Sequence, residues 1–240
     1  VSVVDVNNDG LMDIYVCRVG RYESLKSHNL LLVCTGIGKD SIPVYADKSS
    51  EYGLDFSGFS TQSPFFDYDL DGNLDLYLLN HSLRYNSTFN ERDYYRNNYD
   101  SLSGDRMYRN DKGKYTDVTR STGINSSIIG YGLGICVSDI NLDGYPDLYI
   151  ANDFHENDYL YINQKNGQFK DESVKSLMHT SQFSMGVDVA DINNDAHPEI
   201  ITLDMLPEDP YILRRSLGED EYNLFQMKIK YGYSHQYTRN

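Results

Sequence analysis

Four stretches of this chain repeat one nine-residue pattern, with oxygen-bearing side chains at positions 1, 3, 5 and 9 around a turn. A chain that must build the same turn four times is constrained to a periodic fold. The first copy supplies Asp5, Asn7, Asp9 and Asp13, and the second Asp67, Asp69, Asp71 and Asp75. The third supplies Asp139, Asn141, Asp143 and Asp147, and the fourth Asp191, Asn193, Asp195 and Glu199. Position 6 is Gly10, Gly72 and Gly144 in the first three copies and Ala196 in the last.

Calcium is a hard cation that takes roughly six to eight oxygen ligands, and a short acidic loop can provide most of them. Alternate side chains of a tight loop point inward, so positions 1, 3 and 5 converge, and glycine at position 6 permits the bend. The carbonyls of position 7 (Leu11, Asn73, Tyr145 and His197) can then turn to the ion, and the acid at position 9 closes the shell. An EF-hand begins similarly but needs an acid at position 12. The residues there are Val16, Leu78, Ile150 and Thr202, which excludes it. An ion-free Asx-rich turn would account for one copy, but four copies with an acid at the same offset favour metal. The second loop, with four carboxylates, is expected to bind best. The fourth, with Ala196 and Glu199, is expected to bind worst.

Runs such as Asp13-Ile-Tyr-Val, Asp75-Leu-Tyr-Leu-Leu, Asp147-Leu-Tyr-Ile-Ala and Glu199-Ile-Ile-Thr-Leu follow the loops, and short apolar runs precede them. β-Branched and aromatic runs of this length read as strands, so each loop joins two strands as a hairpin. After the third loop come Asp158-Tyr-Leu-Tyr-Ile-Asn163, a turn at Asn166-Gly167, and Gln168-Phe-Lys-Asp-Glu-Ser173. Asn-Gly between two such runs marks a second hairpin. Asn29–Cys34 with Ile42–Asp47, and Arg106–Asn110 with Lys114–Val118, repeat the plan. Gly53-Leu54 and Gly123-Ile124 fall in matching crossovers.

The expected fold is all-β, a β-propeller of four-stranded antiparallel blades. The whole chain reads as one partial propeller, with repeats at roughly 1–60, 61–130, 131–182 and 183–240. About three and a half blades are present, as in a fragment of a six- to eight-bladed ring.

The Asp-x-Asp/Asn-x-Asp-Gly-x-x-Asp hairpin, followed by a Tyr-x-Asn…Asn-Gly…Phe-x-Asp unit, resembles the FG-GAP/VCBS repeats of the integrin-alpha-like β-propeller superfamily. The likeness runs from Val1 to about Leu206 and is nearest to bacterial secreted and surface proteins. It implies that the loop side chains named above ligate up to four calcium ions.

The charge agrees with that picture. Formal net charge is −15, from 36 acids against 21 bases, and the loops hold thirteen of the acids. Four calcium ions would remove about half of the imbalance. The acidity therefore needs no basic partner, and it argues against a nucleic-acid surface. No apolar run is long enough for a transmembrane helix. The start at Val1, inside a strand and without an initiator methionine, reads as a cut end, so the lack of a signal peptide carries little weight. Weak calcium loops fill where calcium is millimolar, which points to an extracytoplasmic location, whether secreted, periplasmic or on the cell surface. Cys17, Cys34 and Cys136 sit in strand sequences as thiols, with a Cys17–Cys34 bridge as the alternative.

Two insertions interrupt the repeats. Residues 81–105 carry Tyr85, Tyr94, Tyr95 and Tyr99 among Arg84, Arg92 and Arg96, a composition suited to sugars or proteins; the alternative is a strap over a blade edge. Residues 206–233 have helical composition from Glu219 to Lys230, which predicts one or two short helices on the rim, and Tyr237–Asn240 is expected to begin another strand. Sequons at Asn86-Ser-Thr88 and Asn125-Ser-Ser127 fit surface loops.

No zincin helix, P-loop, Cys-x-x-Cys pair or nucleophile elbow occurs. His155 is the best single catalytic candidate, but a solvated loop histidine is the favoured reading of it. The expected function is a calcium-stabilised module that binds protein or carbohydrate through its propeller face or insertion loops. The alternative is a propeller-type polysaccharide lyase or hydrolase, or a scaffold for a catalytic domain outside this stretch.

Overall fold

The computed structural model describes residues 1–240 except 23, 84–90, 206, 214, 216–221 and 238–240, and leaves aside the side chains of residues 22, 25 and 213. The described residues form antiparallel sheets that follow one another along the chain. The first contains Ser2–Val4, Asp13–Val16, Leu30–Ile37 and Pro43–Asp47 in chain order. The third contains Gly132–Ser138, Asp147–Asn152, Tyr159–Asn163 and Phe169–Asp171 in the same order. In the second, the inner strand is split into Ser60–Gln62 and Phe65–Phe66, both paired with Asp75–Asn80. The split falls at Ser63-Pro64, where proline cannot donate to the ladder. Arg106–Asn110 and Tyr115–Asp117 complete that sheet. Gly186–Ala190 and Glu199–Leu203 form a two-stranded fourth sheet. This is an all-β, propeller-like arrangement, and the sheets do not close into a ring.

Two buried clusters hold the row together. Leu76 and Leu78 share a cluster with Tyr15 and Leu31 of the first sheet and with Leu54 of the crossover that follows it. Tyr77 and Leu79, on the other face of the same strand, meet Leu148, Ile150 and Tyr159 of the third. The strand period of two thus lets one strand serve two interfaces. The first two crossovers are each set by a glycine at positive φ, Gly53 (78°) and Gly123 (79°), whereas the helix in the third ends at Leu177 in extended conformation. A Cβ would lie 2.8 Å from the Tyr115 carbonyl oxygen at Gly53 and 2.5 Å from that of Phe169 at Gly123, so both conformation and space require glycine.

In an antiparallel meander the acidic loops and the third-to-fourth strand turns lie at one end of each sheet. The second-to-third strand connections and the crossovers lie at the other. Both insertions therefore emerge on the face opposite the loops. In the first, Arg92–Arg96 is helical. Arg84, Tyr85 and the sequon at Asn86 lie outside the described residues. The second contains helices Pro210–Leu213 and Tyr222–Lys230, while Leu206, Glu219 and Thr238–Asn240 are outside the described residues. Gln236–Tyr237 pairs in parallel with Thr180–Ser181, and the rest of the strand expected from Tyr237 lies outside the described residues. The insertions meet, since Arg92 N donates to Tyr231 O at 2.8 Å. All three cysteines are free thiols. Asn125 is half-buried with its amide on the Tyr159 hydroxyl at 3.2 Å, so its sequon is not an open surface loop.

Candidate metal centres

The four loops share one backbone geometry. Position 4 is left-handed at Asn8, Leu70, Leu142 and Asn194, with φ of 58°, 60°, 59° and 62°. Position 6 is also at positive φ, 85° at Gly10, 89° at Gly72, 89° at Gly144 and 67° at Ala196. A Cβ would meet nothing within 4 Å at Gly10, Gly72 or Gly144, so the dihedral alone demands glycine there. Ala196 adopts the turn at a steric cost of about 1–2 kcal/mol.

The position 1 carboxylate organises each turn by accepting two backbone N–H groups. Asp5 takes those of Asp9 (3.1 Å) and Gly10 (2.8 Å), and Asp67 those of Asp71 (3.0 Å) and Gly72 (2.8 Å). Asp139 takes Asp143 and Gly144, both at 2.8 Å, and Asp191 takes Asp195 (3.0 Å) and Ala196 (2.8 Å). Position 5 accepts the N–H of position 7, from Leu11, Asn73, Tyr145 and His197, at 2.8 to 3.0 Å.

Position 3 distinguishes the loops. Asn7 and Asn141 donate their amides to the position 5 carboxylates, Asp9 at 2.9 Å and Asp143 at 3.0 Å. Asp69 cannot do this. Ligand oxygens of Asp67, Asp69 and Asp71 all lie within 4.8 Å of one another, and Asp69 Oδ1 is buried with no hydrogen-bond partner. Burial, and then the charges of Asp71 and Asp67, push the Asp69 carboxyl above its usual range. An all-oxygen donor set with an orphaned, desolvated carboxylate oxygen fits a hard divalent cation. In the third loop Lys165 Nζ stands 3.4 Å from Asp143 Oδ2, which partly offsets its charge. In the fourth, Asn193 donates instead to Glu199 Oε1 at 2.6 Å, and Ile192 N donates to Oε2 at 2.9 Å.

Position 9 has a second task that its spacing does not reveal. Asp13, Asp75 and Asp147 are fully buried. Each gives one oxygen to its own loop, accepting from Val6, Tyr68 or Ile140 N at 3.0 to 3.2 Å. The other oxygen accepts from the third strand, at Cys34 N (2.7 Å), Asn110 N (2.7 Å) and Asn163 N (2.8 Å). Burial pushes Asp75 up to about 7 despite these N–H donors, and a nearby cation would offset that cost. Loop and sheet are therefore welded through one carboxylate.

At the opposite end of the sheets a second repeated network appears. Asp105 accepts from the Tyr77 hydroxyl (2.9 Å) and Asn80 N (2.8 Å). Asp158 does the same with Tyr149 (2.9 Å) and Asn152 N (2.8 Å). In the first sheet Asn29 takes the acid's place, donating to the Tyr15 hydroxyl at 3.1 Å and accepting from Arg18 N at 2.8 Å. The signal for it is the tyrosine two residues beyond each of the first three loops, together with an acid or amide opening each third strand.

A family model described as the FG-GAP-like repeat matches residues 139–202. The match starts at the first aspartate of the third loop and ends in the strand after the fourth. It spans one full repeat period and supports the FG-GAP repeat family, with this chain as a β-propeller repeat module. No curated protein matches the chain.

Proposed function

We propose that this chain is a calcium-stabilised propeller module of a secreted or cell-surface protein, of the bacterial VCBS-like type, used for adhesion or for binding protein or carbohydrate. The carrying observation is the convergence of Asp67, Asp69 and Asp71 around a buried, unpartnered Asp69 oxygen. Without a cation those carboxylates repel one another in a partly desolvated turn; with one they cross-link it. The other three loops repeat the same backbone frame, so up to four ions would stiffen one end of the sheets. The opposite end carries both insertions and is the face on which a ligand is expected, because variable connections on a rigid scaffold carry binding. Chelation should lower the melting temperature substantially. At calcium a hundredfold above the dissociation constant, one site stabilises by about 2.7 kcal/mol. Superimposable melting curves in chelator and in millimolar calcium would remove the metal from this reading.

A further inference from the structure

We propose that a basic cleft on the first sheet, together with a row of aromatic rings beginning beside it, is a binding track for an anionic saccharide. This deepens the ligand-binding reading above and rests on it. The cleft lies between the connection at 17–29 and the crossover at 53–59, on the face opposite the acidic loops. Its volume is about 730 Å³, and Arg21, Lys26, Ser27, His28, Asp55 and Ser57 line it. Pockets for small ligands run roughly 300–1,000 Å³.

The charges in the cleft run against those of the chain. With 36 acids against 21 bases, basic side chains here readily find carboxylates, as Arg92, Arg96, Arg106 and Arg109 do. Arg21 and Lys26 are exposed and enter no ion pair among the described residues. Among the described residues the acid lining the cleft is Asp55, which has an oxygen occupied by the Ser50 hydroxyl at 2.6 Å. Ser27 and Ser57 donate to the carbonyls of Val19 (2.8 Å) and Ser27 (2.7 Å). Their oxygens are left as acceptors, which suits the hydroxyl groups of a sugar. An arginine fork beside a lysine suits carboxylate or sulfate groups.

Two residues beyond Ser57 the aromatic row begins. Phe59 meets His81 at 5.7 Å between ring centroids, His81 meets Tyr131 at 5.2 Å, Tyr131 meets Phe154 at 4.9 Å, and Phe154 meets Phe183 at 6.5 Å. These rings stand just before the inner strands or just after the second strands of three successive sheets, so the row crosses all three on one face. All but Phe59 are partly exposed. Flat apolar rings present faces on which the C–H side of a sugar can rest, and a row of them fits a chain of sugars. Sparse charge on such a chain also tolerates the overall −15 better than the dense phosphates of nucleic acid would.

The test is calorimetric titration of the whole chain in saturating calcium. The probes are a galacturonate tetrasaccharide, a sulfated galactan tetrasaccharide, a neutral galactan tetrasaccharide and polyglutamate. At least one anionic sugar should bind about tenfold or more tighter than the neutral one, and which of the two does so identifies the anion. Arg21→Ala with Lys26→Ala should weaken that sugar by about tenfold or more. Both side chains are exposed, so the double variant should melt like the parent. Equal affinity for neutral and anionic sugars, polyglutamate binding as tightly as the sugars, or no sugar binding would each overturn the track. Full affinity in the double variant would remove the cleft while leaving the ligand-binding face intact. Indifference of melting to chelation is a separate result and bears on the module reading alone.

Discussion

Arg92 and Glu156 form a two-pronged ion pair across 64 residues of sequence, Nη2 to Oε1 at 2.7 Å and Nε to Oε2 at 3.1 Å, with both side chains buried. It fastens the first insertion to the third sheet. Arg96 reinforces it by reaching Asp171 at 2.5 Å, and Gln236 brings in the second insertion by donating to the Glu156 carbonyl at 3.0 Å. The strap reading of residues 81–105 therefore applies to the part around Arg92–Arg96.

Glu156→Gln should destabilise the protein by about 3–5 kcal/mol, because it leaves a buried guanidinium without its counter-charge. Denaturant unfolding reads this directly. Replacing both residues by leucine should recover part of the loss, and a double variant as unstable as the single would refute the buried-charge explanation.

Asp69→Asn should have opposite effects with and without metal. In chelator it removes a carboxylate from a crowded turn and should raise the melting temperature. In millimolar calcium it removes a ligand and should lower it. A shift of the same sign in both conditions would contradict the role assigned to Asp69.

Ala196→Gly relieves a left-handed alanine at φ 67°. The steric gain of about 1–2 kcal/mol exceeds the roughly 0.5–1 kcal/mol of added chain entropy, so the variant should be slightly more stable. It should also bind calcium more tightly at the fourth loop. Calorimetric titration of the variant against the parent checks this.

If the third loop holds calcium as proposed, Lys165→Met should strengthen it severalfold, because the ammonium near Asp143 would compete with an ion for the same carboxylate. Unchanged affinity would mean that the exposed lysine swings away at no cost.

Stability should fall as pH rises through neutrality. Burial pushes Asp105 and Asp158 up to about 7, against roughly 3.9 for an unfolded aspartate. The folded state therefore keeps protons that the unfolded chain has lost. The contribution is full below about pH 4 and is lost as pH climbs through 7. Melting at saturating calcium should show a negative slope between about pH 5 and 8, and Asp158→Asn should flatten it.

The loops were legible because their requirements are local. Position 1 must accept the N–H groups of positions 5 and 6, so Asp5, Asp67, Asp139 and Asp191 recur at one offset whatever surrounds them. The strands beside them were legible from their period, and Arg106–Asn110 and Asp147–Asn152 fall where their residues place them. The recurring tyrosine and the acid that opens the third strand mark Asp105 and Asp158 in the sequence but do not show that they meet Tyr77 and Tyr149. They become neighbours only when the second and third strands pair, and the gap between those strands is 25 residues in one sheet and six in the other.

Composition and spacing alone determined that this chain builds four acidic turns on a repeating antiparallel sheet, since short-range backbone geometry dictates which residues can make such turns. Only the tertiary structure decided what those turns are attached to. Packing the sheets buried Asp13, Asp75 and Asp147 against the third strands, joined the two insertions over Glu156, and gathered Arg21 and Lys26 into one cleft on the far face. Each of these pairings depends on which distant residue a side chain meets when the sheets stack, and no local spacing carries that information.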